Sequence, residues 1–197
     1  MLYFNIVFFF AIGFLPVQGL FGADLRTIDS LLHESIAVQY DQKETAIAHV
    51  KRARELAKGI DDPKLMARIN NQEGTVYYIS GDYELALRNF LEAYEFAIMV
   101  NSIPEMVYAM NGRALVLMVE REFDVAKDLF EECIRINATI NDSVKLAKNY
   151  FNLGILHNEQ GDLEKSMVQL NTALKFLTNY PKQSLNLMVN NRMAKVY

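Results

Sequence analysis

The sequence predicts an all-α protein, a right-handed solenoid of antiparallel helix hairpins. Two observations carry this prediction. First, Gly74, Ala114, Gly154 and Ala194 recur at a spacing of 40 residues. Twelve positions after each of the first three stands another small residue, Ala86, Ala126 or Ser166. Four positions on is a large apolar one (Phe90, Phe130, Leu170), and three further a small one (Ala93, Cys133, Ala173). A fixed period of this length marks supersecondary units stacked in a row. Second, no stretch sustains the alternating pattern of a strand.

The period extends backwards to Ala46, Val50 and Ala53. This first unit is degenerate, with Glu34 where Gly74 would stand, as terminal repeats often are. Each later unit reads as two helices. The first helices span about 64–79, 105–119 and 144–159, and the second 83–99, 123–137 and 163–178. Gly81 and Gly161 fit left-handed helix ends, and Asp82 and Asp162 fit the caps that start the next helix. In the third unit Arg121 replaces that glycine. Asp61-Asp62-Pro63, Asn101-Ser102 and Asn141-Asp142-Ser143 separate the units and supply further cap residues.

The small positions have a mechanical role. Gly74 and Ala86 fall on facing helices of one hairpin, where small side chains let the backbones approach. The aromatic four residues later plugs the gap to the next hairpin. Leu185–Tyr197 matches the first helix of a fifth unit, with Ala194 in register and no second helix after it. Its apolar residues suit a covered helix better than a solvated cap, so the natural protein is expected to continue beyond Tyr197.

Composition narrows the function. The 197 residues are 51% hydrophobic and 22% charged, with a net charge of −4. That suits an ordered protein. No Lys/Arg cluster provides an electrostatic footprint for nucleic acid. Residues 1–23 stand apart, with no charged side chain before Asp24 and half of the twelve Phe. The run from Ile6 to Val17 has the length of a secretory h-region; Pro16 breaks it, and the small residues Gly19, Gly22 and Ala23 follow. Cleavage after Gly19 gives the neatest site. An uncleaved anchor is the other reading, since about 20 apolar residues span a bilayer. Both place residues 24–197, the solenoid, outside the cytoplasm, in the periplasm or tethered to a membrane. The lone Cys133 cannot form an internal disulfide and reads as a small buried contact.

Gly74-x-x-Tyr77, Gly81-Asp82-Tyr83, Ala86, Phe90 and Ala93 resemble a tetratricopeptide repeat. So do Gly154, Gly161-Asp162, Leu170 and Ala173, while the Arg121 unit keeps Ala126 and Phe130. The 40-residue period is similar to that of secreted tetratricopeptide regions in bacterial sensor kinases and regulators. The resemblance implies a protein- or peptide-binding module whose first helices line a concave groove. By that resemblance the groove positions lie three before, one after and four after the small residue. They are Asn71, Asn111, Phe151 and Asn191; Thr75, Leu115, Ile155 and Lys195; and Tyr78, Met118 and Asn158. Asn presents both donor and acceptor, so this ladder suits the backbone of an extended peptide. The competing reading has the same Asn residues bonding between neighbouring helices. Arg68, Lys148 and Lys195 fall short of the basic set that holds a chaperone C-terminus.

No enzyme is expected. His33, His49 and His157 stand alone, without the spacing of a metal site, and no glycine-rich phosphate loop is present. No cofactor or metal is implied. The leading reading is the extracytoplasmic sensory part of a longer signalling protein. The alternative is a free-standing periplasmic scaffold for envelope assembly.

Overall fold

The structure is a computed structural model that describes residues 18–180 and 184–196, with side chains from Leu25 onward. The described residues form helices and turns without a strand. The helices are α1 (Gln18–Val38), α2 (Lys43–Leu56), α3 (Pro63–Ser80), α4 (Tyr83–Met99), α5 (Ile103–Val119), α6 (Phe123–Thr139), α7 (Ser143–Glu159), α8 (Leu163–Phe176) and α9 (Ser184–Val196). The second helix of the third unit runs past the expected Asn137, and that of the fourth stops short of Thr178.

Consecutive helices pack as hairpins, α1 with α2 through α7 with α8, and α9 lies against α7 and α8. The first helices also touch one another along the stack: α1 with α3, α3 with α5, α5 with α7, α7 with α9. The second helices lie further apart from one another, with α2 reaching α4 through the Arg54 side chain on Asn89. The first helices therefore form the tighter, inner row, and the stack curves around them. The core follows the stack as a string of apolar clusters. One is Ile28, Val50, Ile69 and Val76; another is Ala114, Phe130, Leu153 and Leu156; a third is Phe151, Leu170, Leu177 and Val189.

Local signals set the helix ends. The carboxylates of Asp62, Asp82, Asp142 and Asp162 accept the backbone N–H three residues on, at 3.0, 3.2, 3.0 and 3.0 Å. Ser102 stands at the same place before α5 but makes no side-chain cap bond, unlike the expectation for that junction. Gly81 and Gly161 adopt the left-handed region at φ 87° and 81°. Arg121 is forced into it at φ 67°, as are Asn101 and Asn141 between units.

The small positions face each other as the period requires. Ser166 Oγ donates to the Gly154 carbonyl at 2.7 Å, across the hairpin turn. A Cβ on Gly74 would lie 2.9 Å from the Phe90 ring, and one on Gly154 2.8 Å from Leu170. Ala114, Ala126, Ala93, Ala173 and Phe130 are fully buried, as is Ala86. Val189 anchors α9, while Leu187 and Met188 are exposed. Ala194, in register with Gly74, is exposed too.

The expected leader falls mostly outside the described residues. From Gln18 onward the chain is already α1, so Gly19, Gly22 and Ala23 lie within a helix.

Candidate functional site on the inner face

Arg68, Tyr108 and Lys148 occupy one register position in three successive units, six residues before the small residue. Arg68 Nη2 meets Asp29 Oδ1 of α1 at 2.8 Å. The Tyr108 hydroxyl lies 3.1 Å from Thr75 Oγ1. Thr75 donates its own proton to the Asn71 carbonyl at 2.8 Å, so Tyr108 donates to Thr75. Lys148 Nζ stands 5.4 Å from the Tyr108 ring centroid. No described carboxylate pairs with it. Arg68 and Tyr108 line a cleft, while Lys148 is exposed beside the Tyr108 ring. Burial pushes the Tyr108 phenol up and the Lys148 ammonium down from their ordinary values.

Between α1, α3 and α5 the inner face opens into a cleft of about 230 Å³. Leu32 and Ile36 of α1 line it, with Asn71 of α3 and Glu105 and Tyr108 of α5. Asn71 is 3% exposed. Its Nδ2 donates to the Glu105 carbonyl at 3.0 Å and to Glu105 Oε2 at 3.2 Å. Both are acceptors, which fixes the amide with Oδ1 turned away, and that oxygen is buried without a partner.

The other positions expected in the groove do not form one open surface. Asn111 is buried in an amide network that joins α5, α6 and α7. Its Nδ2 donates to the Val107 carbonyl at 2.9 Å, and its Oδ1 accepts from Asn149 at 2.7 Å and Asn152 at 3.3 Å. Asn137 donates in turn to Asn149 at 2.6 Å. Phe151 is in the core with Leu170 and Ala173, and Met118 in the core with Phe130 and Leu156. Expecting these three on the groove surface is thus corrected. Asn111 and Phe151, three before the small residue, face neighbouring helices rather than solvent, and Met118, four after it, packs against α6 and α7. Tyr78 is half-buried, its ring 5.9 Å from that of Tyr83 and tilted 55° to it. Burial and the nearby Tyr83 and Tyr40 raise its phenol. Asn158 is half-buried near the end of α7, and Asn191 is exposed on α9. Thr75, Leu115 and Ile155 are half-buried along the inner row.

Sequence reading missed the row Arg68, Tyr108 and Lys148. The signal was available in the same period, since all three are long side chains with polar tips. It also missed the link among Arg54, Glu73, Asn70 and Asn89, which ties α2 to α3 and α4. Arg54 Nε donates to Glu73 Oε2 at 2.8 Å, and its Nη2 reaches Asn70 and Asn89. This link holds the three helices together. Among the described residues no three His, Cys, Asp or Glu side chains are grouped to hold a metal.

Residues 147–176, most of α7 and α8, match the family model of the tetratricopeptide repeat. No curated protein matches the chain. The fold is similar to that of a kinesin light chain protein from Podosopora anserina with nearly identical TPR-like repeats. That likeness has 13% identity and a TM-score of 0.65, covering 86% of this chain and 85% of that one. BtubC (BKLC) from P. vanneervenii is similar at 16% identity and a TM-score of 0.66, covering 93% and 84%. The apo form of RapI is similar at 17% identity and a TM-score of 0.70, covering 86% of this chain and 62% of that one.

Proposed function

We propose that this chain, a solenoid of tetratricopeptide-type repeats, is a protein-interaction module that holds an extended partner segment along its inner face. The observation that carries the reading is the row of Arg68, Tyr108 and Lys148 beside a cleft with an unsatisfied buried acceptor. Polar tips on a preformed concave surface are what an extended backbone needs for orientation, and the ring and aliphatic walls supply contact area. The fold itself does not name the partner.

We further infer that the module works outside the cytoplasm as the sensory part of a longer signalling protein. The uncharged N-terminal segment supports this. So does the helical start of α1, which suits a segment that stays joined to the solenoid.

Two experiments test the reading. Peptides selected from a displayed random library against the protein are expected to lose at least tenfold in affinity with Tyr108→Ala. They should keep it with Val125→Ala on the exposed face of α6. Equal effects of the two changes would refute inner-face binding. For export, alkaline phosphatase fused after Tyr197 should be active in cells, and deletion of residues 2–21 should abolish that activity. Activity that survives the deletion contradicts the extracytoplasmic reading.

A further inference from the structure

We propose that the solenoid lies against a lipid bilayer through the edge that carries the turns between units. This rests on the reading that residues 1–23 stay joined to the solenoid as an anchor. Each first helix starts at this edge and runs to the hairpin turns, and each second helix returns. The start of α1 therefore shares the edge with the starts of α3, α5 and α7 and the ends of α2, α4 and α6. In register, α3, α5 and α7 begin at the position of Ala23, whereas α1 begins five residues earlier, at Gln18. Five helical residues span about 7 Å. The uncharged segment before Gln18 is covalently joined at this end and holds Phe4, Phe8, Phe9, Phe10 and Phe14. A bilayer that takes up this segment lies next to the edge.

The edge suits such a surface. Ile98, Met99, Val100 and Ile140 are 52, 70, 41 and 41% exposed there. Val100, Ile103, Pro104 and Ile140 line an open cleft of about 440 Å³ that bridges neighbouring turns, with Lys64 beside them. A lysine there reaches headgroup phosphates while its stem stays on apolar surface. In the turns 57–65, 97–105 and 137–145 three cations stand against four carboxylates, so this edge is almost neutral. The opposite edge also exposes apolar side chains, Tyr40 and Leu163 among them. There the four hairpin turns (39–45, 79–85, 119–125 and 159–165) hold ten carboxylates against three cations. Anionic headgroups repel that edge. Charge thus selects between two edges that both carry apolar tips, and it selects the one where the N-terminal segment enters. The helices then stand upright on the bilayer, and the inner face stays open to a partner alongside.

The test uses the full chain with Cys133→Ala, reconstituted into vesicles of phosphatidylcholine and phosphatidylglycerol. Val100→Cys or Leu163→Cys is added and labelled with a fluorophore that brominated acyl chains quench. The Val100→Cys label should lose at least half of its fluorescence in brominated vesicles, and the Leu163→Cys label should keep it. Both positions are exposed, so both variants should melt as the parent does. Adding Met99→Asp with Ile140→Asp should reduce the Val100→Cys quenching at least twofold. The protein should still float with the vesicles, because residues 1–23 are untouched. Equal quenching of the two labels, or stronger quenching of the Leu163→Cys label, refutes this orientation. If quenching survives the two aspartates, the apolar tips do not make the contact and the proposal fails. If the protein floats with the vesicles and neither label is quenched, the proposal fails and the anchor stands. If the protein does not float at all, both the anchor reading and the proposal fail.

Discussion

The Phe90 ring lies over Gly112 of the next hairpin so closely that a Cβ there would sit 2.3 Å from its Cε1. The same ring also covers Gly74 of its own hairpin. Phe90 is 2% exposed, held between the two glycines, and has nowhere to turn. Gly112→Ala gains about 1 kcal/mol in helix propensity. The overpacking costs about 1–3 kcal/mol in well-filled cores, and here the contact falls on a rigid ring. The variant should therefore be less stable in urea unfolding. Adding Phe90→Leu should recover part of the loss, since Leu170 fills the corresponding place in the fourth unit. A Gly112→Ala variant as stable as the parent would contradict this packing.

The pattern of small residues was legible because it depends on hairpin geometry, which the period repeats. Gly112 was not. The corresponding positions are Gln72 and Asn152, so no period flags it. Its need for a glycine comes from the angle between two hairpins and from one ring. The Asn ladder shows the same limit. An amide that bonds a neighbouring helix and one that waits for a ligand are the same letter. Only the rotation of each first helix in the stack distinguishes Asn111, closed in a network, from Asn71, at the wall of a cleft.

That network makes its own prediction. Asn111→Ala leaves the Asn149 and Asn152 amides without their acceptor. Stranding a buried polar group costs about 1–3 kcal/mol. Asn149→Ala should cost a similar amount, because it strands the Asn137 amide and leaves Asn111 Oδ1 with the longer bond from Asn152 alone. The double variant should lose clearly less than the sum, as members of one network do. Additive losses in denaturant unfolding would show that the amides act independently.

Arg121 and Gly81 should respond in opposite directions. Both stand at the hairpin turn with positive φ, 67° and 87°. A side chain in the left-handed region costs about 1–2 kcal/mol. Arg121→Gly removes that cost but loses a guanidinium 5.3 Å from the Phe123 ring centroid, worth about 0.5–1 kcal/mol when exposed. A net gain of up to about 1 kcal/mol is expected. Gly81→Ala should lose about 1 kcal/mol. Thermal melting of both variants checks the pair.

The caps of α7 and α8 should set part of the acid sensitivity. Hydrogen bonds from the Lys165 ammonium and backbone N–H hold the Asp162 carboxyl below the usual range. At Asp142 partial burial pushes upward, but the Lys145 N–H and ammonium outweigh it and the net shift is down. Unfolded aspartate titrates near about 3.9. Below that pH the unfolded chain binds protons that the folded caps resist, so stability falls as pH drops through the folded values. Above about pH 5 the contribution is complete. Asn also caps helices well and does not titrate. Asp142→Asn with Asp162→Asn should therefore flatten the loss of stability between about pH 4 and 2. An unchanged acid profile would remove these caps from the explanation.

Cys133 gives the corresponding alkaline test. Its thiol is fully buried in the place that Ala93 and Ala173 take in other units, 3.8 Å from the Val107 carbonyl. Burial, helped by the Glu132 carboxylate, pushes it up to about 12. Only the thiolate reacts, so the folded protein should resist a thiol reagent at pH 7 and label at the rate of unfolding. The unfolded thiol ionises near about 8.5. As pH rises above that value the unfolded chain loses a proton the folded chain keeps, and stability declines until the folded value is reached. Cys133→Ala should fold, because alanine already fits this contact, and should remove that part of the decline. If the alkaline profile is unchanged and labelling is fast under native conditions, the thiol is not sealed between α5 and α6.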